Sequence, residues 1–205
     1  MIAEHLKRIL DVLISTITIT VLLPFFVLII GAIRLTSKGP AIFRQERAGK
    51  NSKPFMFYKF RTMKVDVDPF GPSPKSGQDP RLTRVGRFLR EYSLDELPQL
   101  FNVLKGDMSI VGPRPLYVSQ IAEWNEQQKK RLLVKPGLTG MAQISGRGGL
   151  TREEKLELDV KYVETASFFA DTKIVLATIA QVFRRKSIYE KRYSQAEYTR
   201  RETRH

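Results

Sequence analysis

Apolar positions are spread unevenly along this chain. From Val12 to Ile33 run 22 residues without a charge, fifteen of them Val, Leu, Ile or Phe. At about 0.3–0.6 kcal/mol each, such residues gain about 7 kcal/mol on membrane insertion before the polar ones subtract. Beyond this run the apolar residues fall into short periodic sets. Ile42–Phe43 and Pro54–Tyr58 flank Gly49-Lys50-Asn51 and predict a β-hairpin. Helical spacing follows at Arg81–Glu91, Leu94–Leu104, Ser119–Val134, Thr151–Thr165 and Phe168–Phe183. Thr151-Arg-Glu-Glu154 has the spacing of a capping box. The pattern predicts an α+β, helix-rich single domain with one small hairpin. Its expected parts are an apolar N-terminal helix with flanks (1–36), a catalytic body with interfacial helices (37–186) and a basic tail (187–205).

The long apolar run is too long for a typical signal-peptide core, and no small-residue cleavage site follows it. Two topologies stay open. A single spanning helix has the right length. Against it, Pro24 removes the hydrogen bond to the Thr20 carbonyl, so a kink is expected. Ser15, Thr16, Thr18 and Thr20 could satisfy backbone groups freed there. Lys7 and Arg8 precede the run, and Arg34, Lys38, Arg44 and Arg47 follow it, so the positive-inside rule selects neither end for crossing. A helix that enters, bends at Pro24 and returns satisfies both flanks. A helix buried in a core is the remaining alternative.

Charge sharpens the picture. The chain has 35 Lys and Arg against 21 acids, a formal charge of +14. That excess calls for an anionic partner: nucleic acid, anionic lipid or a phosphorylated substrate. Cysteine is absent, which excludes a disulfide framework and thiolate metal sites. Residues 66–80 form a stretch rich in Pro, Gly and Ser, read as a loop of turns. The last predicted helix has an apolar face and ends in Arg184-Arg185-Lys186, as a helix lying in a membrane interface would; an ordinary core helix with a basic end fits equally.

The densest chemistry is Ser93-Leu-Asp95-Glu96-Leu-Pro-Gln-Leu-Phe-Asn102. Ser93 with Glu96 has capping-box spacing, and acids suit a helix's first turn, so a purely structural role is the simplest reading of that stretch alone. Its surroundings change this. Lys105-Gly-Asp107, Gly112-Pro-Arg-Pro115, Lys135-Pro-Gly137 and Gly146-Arg-Gly148 supply close backbone approach, fixed loops and bidentate phosphate grips. Four such turns around a carboxylate pair suggest a diphosphate site. Carboxylates near phosphates need a cation such as Mg²⁺ to offset their repulsion. His5 and His205 lie at the chain's two ends, so a carboxylate must serve as base.

Taken together, Lys7-Arg8-x-x-Asp11, Phe43-Arg-Gln-Glu-Arg47, Tyr58-Lys-Phe-Arg-Thr-Met63, the run from Ser93 to Met108, Gly112-Pro-Arg-Pro115, Pro136-Gly-Leu-Thr-Gly140, and Asp159 with Tyr162 resemble the monotopic phosphoglycosyl transferases of bacterial sugar transferase type. The likeness covers nearly the whole chain. It implies transfer of a sugar-1-phosphate from a UDP-sugar to polyprenol (undecaprenyl) phosphate at the cytoplasmic face of the bacterial inner membrane. It further implies a ping-pong course in which Asp95 attacks the β-phosphate and releases UMP, and Glu96 helps deprotonate the acceptor. Mg²⁺ would sit near Asp95. Lys59, Arg61, Arg90, Arg114, Arg147 and Asp159 are the substrate-binding candidates, with Arg114 and Arg147 on phosphate or nucleotide and Lys59 and Asp159 in support. The resemblance also implies a re-entrant helix broken at Pro24, in contact with membrane lipid, and a minimal catalytic unit without the extra N-terminal helices of larger relatives. Leu23 stands where family members often carry Ser, and Thr20 is a candidate substitute.

Two rival readings remain at this level. One is direct transfer in a ternary complex, with the carboxylates holding only metal. The other is a non-catalytic, membrane-anchored binder of nucleic acid, for which Arg87-Phe-Leu-Arg90 is the best stretch. The resemblance favours no nucleic acid beyond the substrate's nucleotide.

Overall fold

The computed structural model describes residues 2–184, apart from 69 and 72, together with Tyr189. The basic tail expected over 187–205 thus lies outside the described residues except at Tyr189.

The apolar run and its basic flank form one helix, α1 (Ile2–Thr36), with Pro24 inside it. One stripe of this helix faces the rest of the molecule along its whole length. Near its start, Lys7 Nζ donates to the Val111 carbonyl (3.1 Å) and the Tyr162 hydroxyl (3.2 Å) and pairs with Asp171. Arg8 donates to the carbonyls of Val103 and Leu104. Asp11 Oδ1 accepts from the Ile110 amide (2.9 Å) and the Ser109 hydroxyl (3.1 Å). Ser15 is fully buried, and Phe26, Ile29 and Ile33 complete the stripe further on. The other faces remain apolar and exposed: Leu13, Ile17, Val21, Leu23, Phe25, Val27 and Leu28 are each half exposed or more.

The expected hairpin is present as β1 (Ile42–Ala48) and β2 (Pro54–Phe60), antiparallel, with Ile42 opposite Phe60 and Ala48 opposite Pro54. Helix α2 (Arg84–Glu91) starts at Thr83, whose side chain accepts from the Gly86 amide. The helix expected over Leu94–Leu104 is divided. A single 3₁₀ turn, Leu94–Glu96, precedes α3 (Gln99–Lys105), because Pro98 supplies no amide hydrogen to continue the ladder. Arg8 therefore meets carbonyls of the last turn of α3, where a cation complements the helix dipole.

Sequence periodicity did not reveal the second sheet. Strands β3 (Ser109–Val111) and β4 (Gly137–Thr139) pair in parallel, Ser109 with Gly137 and Val111 with Thr139. The helix expected over Ser119–Val134 is also broken up. Trp124 is buried in an extended conformation, and Asn125 restarts the chain with its own capping box into the single turn α4 (Glu126–Lys129). After α5 (Met141–Ser145) come α6 (Arg152–Thr165), opened by the Thr151 capping box as expected, and α7 (Phe168–Arg184).

The main core gathers Phe57, Leu100, Val103, Met108, Ile110, Val111, Tyr162 and Ile174. A second cluster joins α1 to the sheet and α2 through Phe26, Ile29, Ile33, Ala41, Phe60 and Leu89. Between these clusters the chain passes through residues 93–98.

Candidate active site

Ser93 adopts φ 57°, ψ 20°, and its side chain makes no capping bond. The capping-box reading of Ser93 and Glu96 is therefore corrected. A non-glycine residue in the left-handed region costs energy and is held by its surroundings. Here it reverses the chain after α2, so that Asp95 enters the protein and is 7% exposed.

Cations surround the pair. Arg114 Nη2 donates to Glu96 Oε1 at 2.7 Å. Burial pushes the Asp95 carboxyl upward and its neighbour Glu96 adds to this, while Arg90, Lys59 and Arg114 oppose. Burial works on Glu96 in the same sense, but Arg114, Arg147 and Lys59 outweigh it and hold Glu96 below the usual carboxylate range. Adjacent in sequence, the two acids are thus driven apart in proton affinity, as suits groups with different tasks. Lys59 is pulled down to about 8, first by burial, then by Arg90 and Arg114, with Asp95 opposing. Burial also lowers Arg147, with Glu96 and Asp95 resisting. Cations outnumber carboxylates, so the site as a whole attracts anions.

Five candidates thus share one electrostatic environment with Asp95 or Glu96: the two carboxylates' partners Lys59, Arg90, Arg114 and Arg147, and, one step removed, Asp159. Asp159 is buried and takes both Nε (3.1 Å) and Nη2 (2.6 Å) of Arg131. Arg131 in turn donates to the carbonyl of Arg114. Asp159 therefore acts on the site through the loop that carries Arg114. Arg61 stands elsewhere. Its guanidinium donates to the Lys38 carbonyl, the Ser37 carbonyl (3.0 Å) and the Ser37 hydroxyl (2.6 Å), closing the C-terminal end of α1.

Arg47 was not among the candidates, yet it belongs to this environment. It lies 3.7 Å from the Tyr117 ring centroid and 5.7 Å from that of Phe57. Burial lowers its pKa, Tyr117 opposes, and Arg114 adds to the lowering. The strand period carried the signal: Gln45 and Arg47 alternate with Arg44 and Glu46, and Arg47 donates to Gln45 Oε1 at 2.7 Å.

Two of the turn glycines also let backbones meet. A Cβ on Gly137 would meet the Gly112 amide nitrogen at 2.1 Å, and one on Gly112 would meet the Lys135 carbonyl at 2.4 Å. They permit the backbone after β3 to touch that of β4, which places the Arg114 loop.

As to metal, the donors at hand are hard carboxylate oxygens. No group of three or more His, Cys, Asp or Glu gathers among the described residues. This fits a Mg²⁺ held by one or two carboxylates together with a substrate's phosphate oxygens, rather than by a cage of protein ligands.

A family model described as bacterial sugar transferase matches residues 2–185. The sugar transferase EpsL of Bacillus subtilis (strain 168) is 43% identical over 192 residues, 94% of each chain. A UDP-glucose:undecaprenyl-phosphate glucose-1-phosphate transferase of Caulobacter vibrioides is 43% identical over 197 residues, covering 89% of this chain and 72% of that protein. Its namesake in Klebsiella pneumoniae is 42% identical over 191 residues, and this chain spans 41% of that longer protein.

Proposed function

The chain belongs to the bacterial sugar transferase family and is a transferase, and on that premise we propose that it moves a sugar-1-phosphate from a UDP-sugar to polyprenol phosphate, with release of UMP. The observation that carries this reading is the buried Asp95 carboxylate, set at a left-handed turn among Lys59, Arg90 and Arg114.

In this reading Asp95 Oδ attacks the β-phosphorus. The bond from that phosphorus to the bridging oxygen breaks, UMP departs with the bridging oxygen, and the phosphosugar stays on Asp95 as an acyl phosphate. An oxygen of polyprenol phosphate then attacks the same phosphorus and expels the carboxylate. Glu96 takes any proton the acceptor phosphate carries. Arg114 keeps Glu96 ionised at rest; a phosphate engaging Arg114 withdraws that partner and raises the basicity of Glu96 at the moment it is needed. Lys59, Arg90 and Arg147 offset the diphosphate's charge. A Mg²⁺ held by Asp95, alone or with Glu96, would neutralise the diphosphate beside the nucleophile. Chelating divalent metal should stop turnover and adding Mg²⁺ should restore it.

A monotopic arrangement at the cytoplasmic face is part of the proposal. Its support is the α1 stripe, which touches one and the same domain at Lys7, Arg8 and Asp11 near one end and at Ile29 and Ile33 near the other. A helix that crossed the bilayer would have to part from the domain at one end. Both basic flanks then stay on the side that holds nucleotide sugars.

The deciding experiment is intact-protein mass spectrometry with UDP-sugar and no acceptor. A phosphosugar adduct that disappears in Asp95→Asn is expected. Undiminished UMP release by that variant would overturn the role of Asp95, and rapid turnover of the unaltered protein without any adduct would favour direct displacement. In metal-free protein the Asp95 carboxyl, shifted upward by burial and by Glu96, should titrate above an ordinary aspartate when followed by NMR; titration at or below the ordinary value would contradict the environment described.

A further inference from the structure

Between α1 and α2 lies a groove of about 430 Å³ lined by Leu28, Ile29, Ala32, Val85, Phe88 and Leu89, with Arg84 also in its wall. Nothing above uses it. We propose that this groove holds the first isoprene units of the acceptor lipid, so that α2 guides the tail while the residue group just after it receives the phosphate. This rests on the acceptor reading given above.

Three observations point to that occupant. The first is continuity with the reacting carboxylate. Phe88 stacks on Tyr92 with centroids 4.6 Å apart. Tyr92 is followed by Ser93, whose turn carries Asp95, so α2 leads from the groove toward the nucleophile. The second is charge. Arg90, on the same helix as Phe88, acts on Asp95, and its Nε donates to the Thr62 hydroxyl at 3.1 Å. An apolar groove on a helix whose next residues carry a cation of the site matches a long hydrocarbon with a single phosphate at its head. A nucleotide sugar, polar throughout, has no use for the groove. The third is access. One wall is α1, and Leu28 itself is 67% exposed. With the outer faces of α1 in lipid, the groove opens to the phase that stores the acceptor, and a chain can enter sideways without crossing water.

The test compares acceptors that share a head and differ in tail. Ala32→Phe fills the groove, and Leu28→Ala with Phe88→Ala widens it; none of these residues belongs to the cationic site. With undecaprenyl phosphate in detergent, Ala32→Phe should raise the acceptor KM about tenfold or more, leave the UDP-sugar KM unchanged and leave turnover of dimethylallyl phosphate, whose single isoprene unit cannot fill the groove, close to that of the unaltered protein. An equal defect with both acceptors, a raised UDP-sugar KM, or no change with undecaprenyl phosphate in either variant overturns the inference. A second measurement needs no turnover. A polyprenyl phosphate bearing a diazirine on one of the isoprene units nearest the phosphate should cross-link to Leu28 or Phe88, and unlabelled undecaprenyl phosphate should compete far better than phosphatidylglycerol. Cross-linking elsewhere, or equal competition by the phospholipid, overturns the groove assignment. Groove cross-linking in a protein that transfers no phosphosugar would sustain the groove and sink the acceptor reaction instead.

Discussion

Over its first half, helix α1 buries the opposite kind of residue from helix α6. In α6, Leu156, Val160 and Tyr162 face the core while Glu157 and Lys161 face out. In α1 the inward stripe carries Lys7, Arg8, Asp11 and Ser15 over its first half, and the outward faces carry Leu13, Ile17, Val21 and Val27. A water-soluble helix orders its residues as α6 does. The inversion in the first half of α1 is what the proposed membrane contact requires: surroundings less polar than the protein surface it sits on. Each helix also has one deeply buried acid, Asp159 and Asp11, which fastens it: Asp159 to Arg131, Asp11 to two donors at the start of β3.

The strongest way to break the comparison is to make α1 resemble α6. Leu13→Ser, Ile17→Ser and Val21→Ser together should remove about 1.5 kcal/mol or more of apolar burial per site, shifting the protein from vesicles to the soluble fraction in a flotation assay; retention at the original level would show that these faces do not lie in lipid. Next in size, Asp159→Ala leaves Arg131 as a buried charge without its carboxylate and should cost about 3–5 kcal/mol in urea denaturation. Asp11→Ala leaves the Ile110 amide and the Ser109 hydroxyl without their acceptor and should cost about 2 kcal/mol. If Asp11→Ala proved the more damaging, the ion pair of Asp159 would not be the stronger of the two fastenings. The smallest effect is the control: Glu157→Ser on the exposed face of α6 should change stability by less than about 0.5 kcal/mol and leave vesicle binding alone.

Local signals made much of this legible in the sequence. The hairpin needed only two apolar runs and a turn, and α6 needed only Thr151 and Glu154; both are governed by neighbours in the chain. The carboxylate pair and most of its cations were also visible, because charged residues among Gly and Pro turns are rare enough to stand out. What escaped was set by contacts distant in sequence. Strands β3 and β4 have three residues each and are far apart in the chain, too short for a period to register. Ser93 has the spacing of a cap, but tertiary packing drives it into the left-handed region, and local propensity loses. Arg61 looks like a phosphate ligand in a basic motif; only the fold brings the end of α1 within its reach. Arg47 could have been found, since alternation on β1 already turns it to the side of Gln45.

One contact sets a limit on how this architecture can be altered. A Cβ on Gly86 would fall 2.0 Å from the Thr62 carbonyl oxygen, so α2 rests directly on the backbone that follows β2. Neither surface there can retreat by changing a side chain, and the distance from α2 to the sheet is a fixed dimension of the molecule. Helix α1 has no such stop at its own glycine: a Cβ at Gly31 would meet nothing within 4 Å. Variation among descendants of this chain, or the choices of an engineer, will therefore resize the space between the two helices from the α1 side, with residue 86 held to glycine and residues such as Leu28 and Ala32 setting its width.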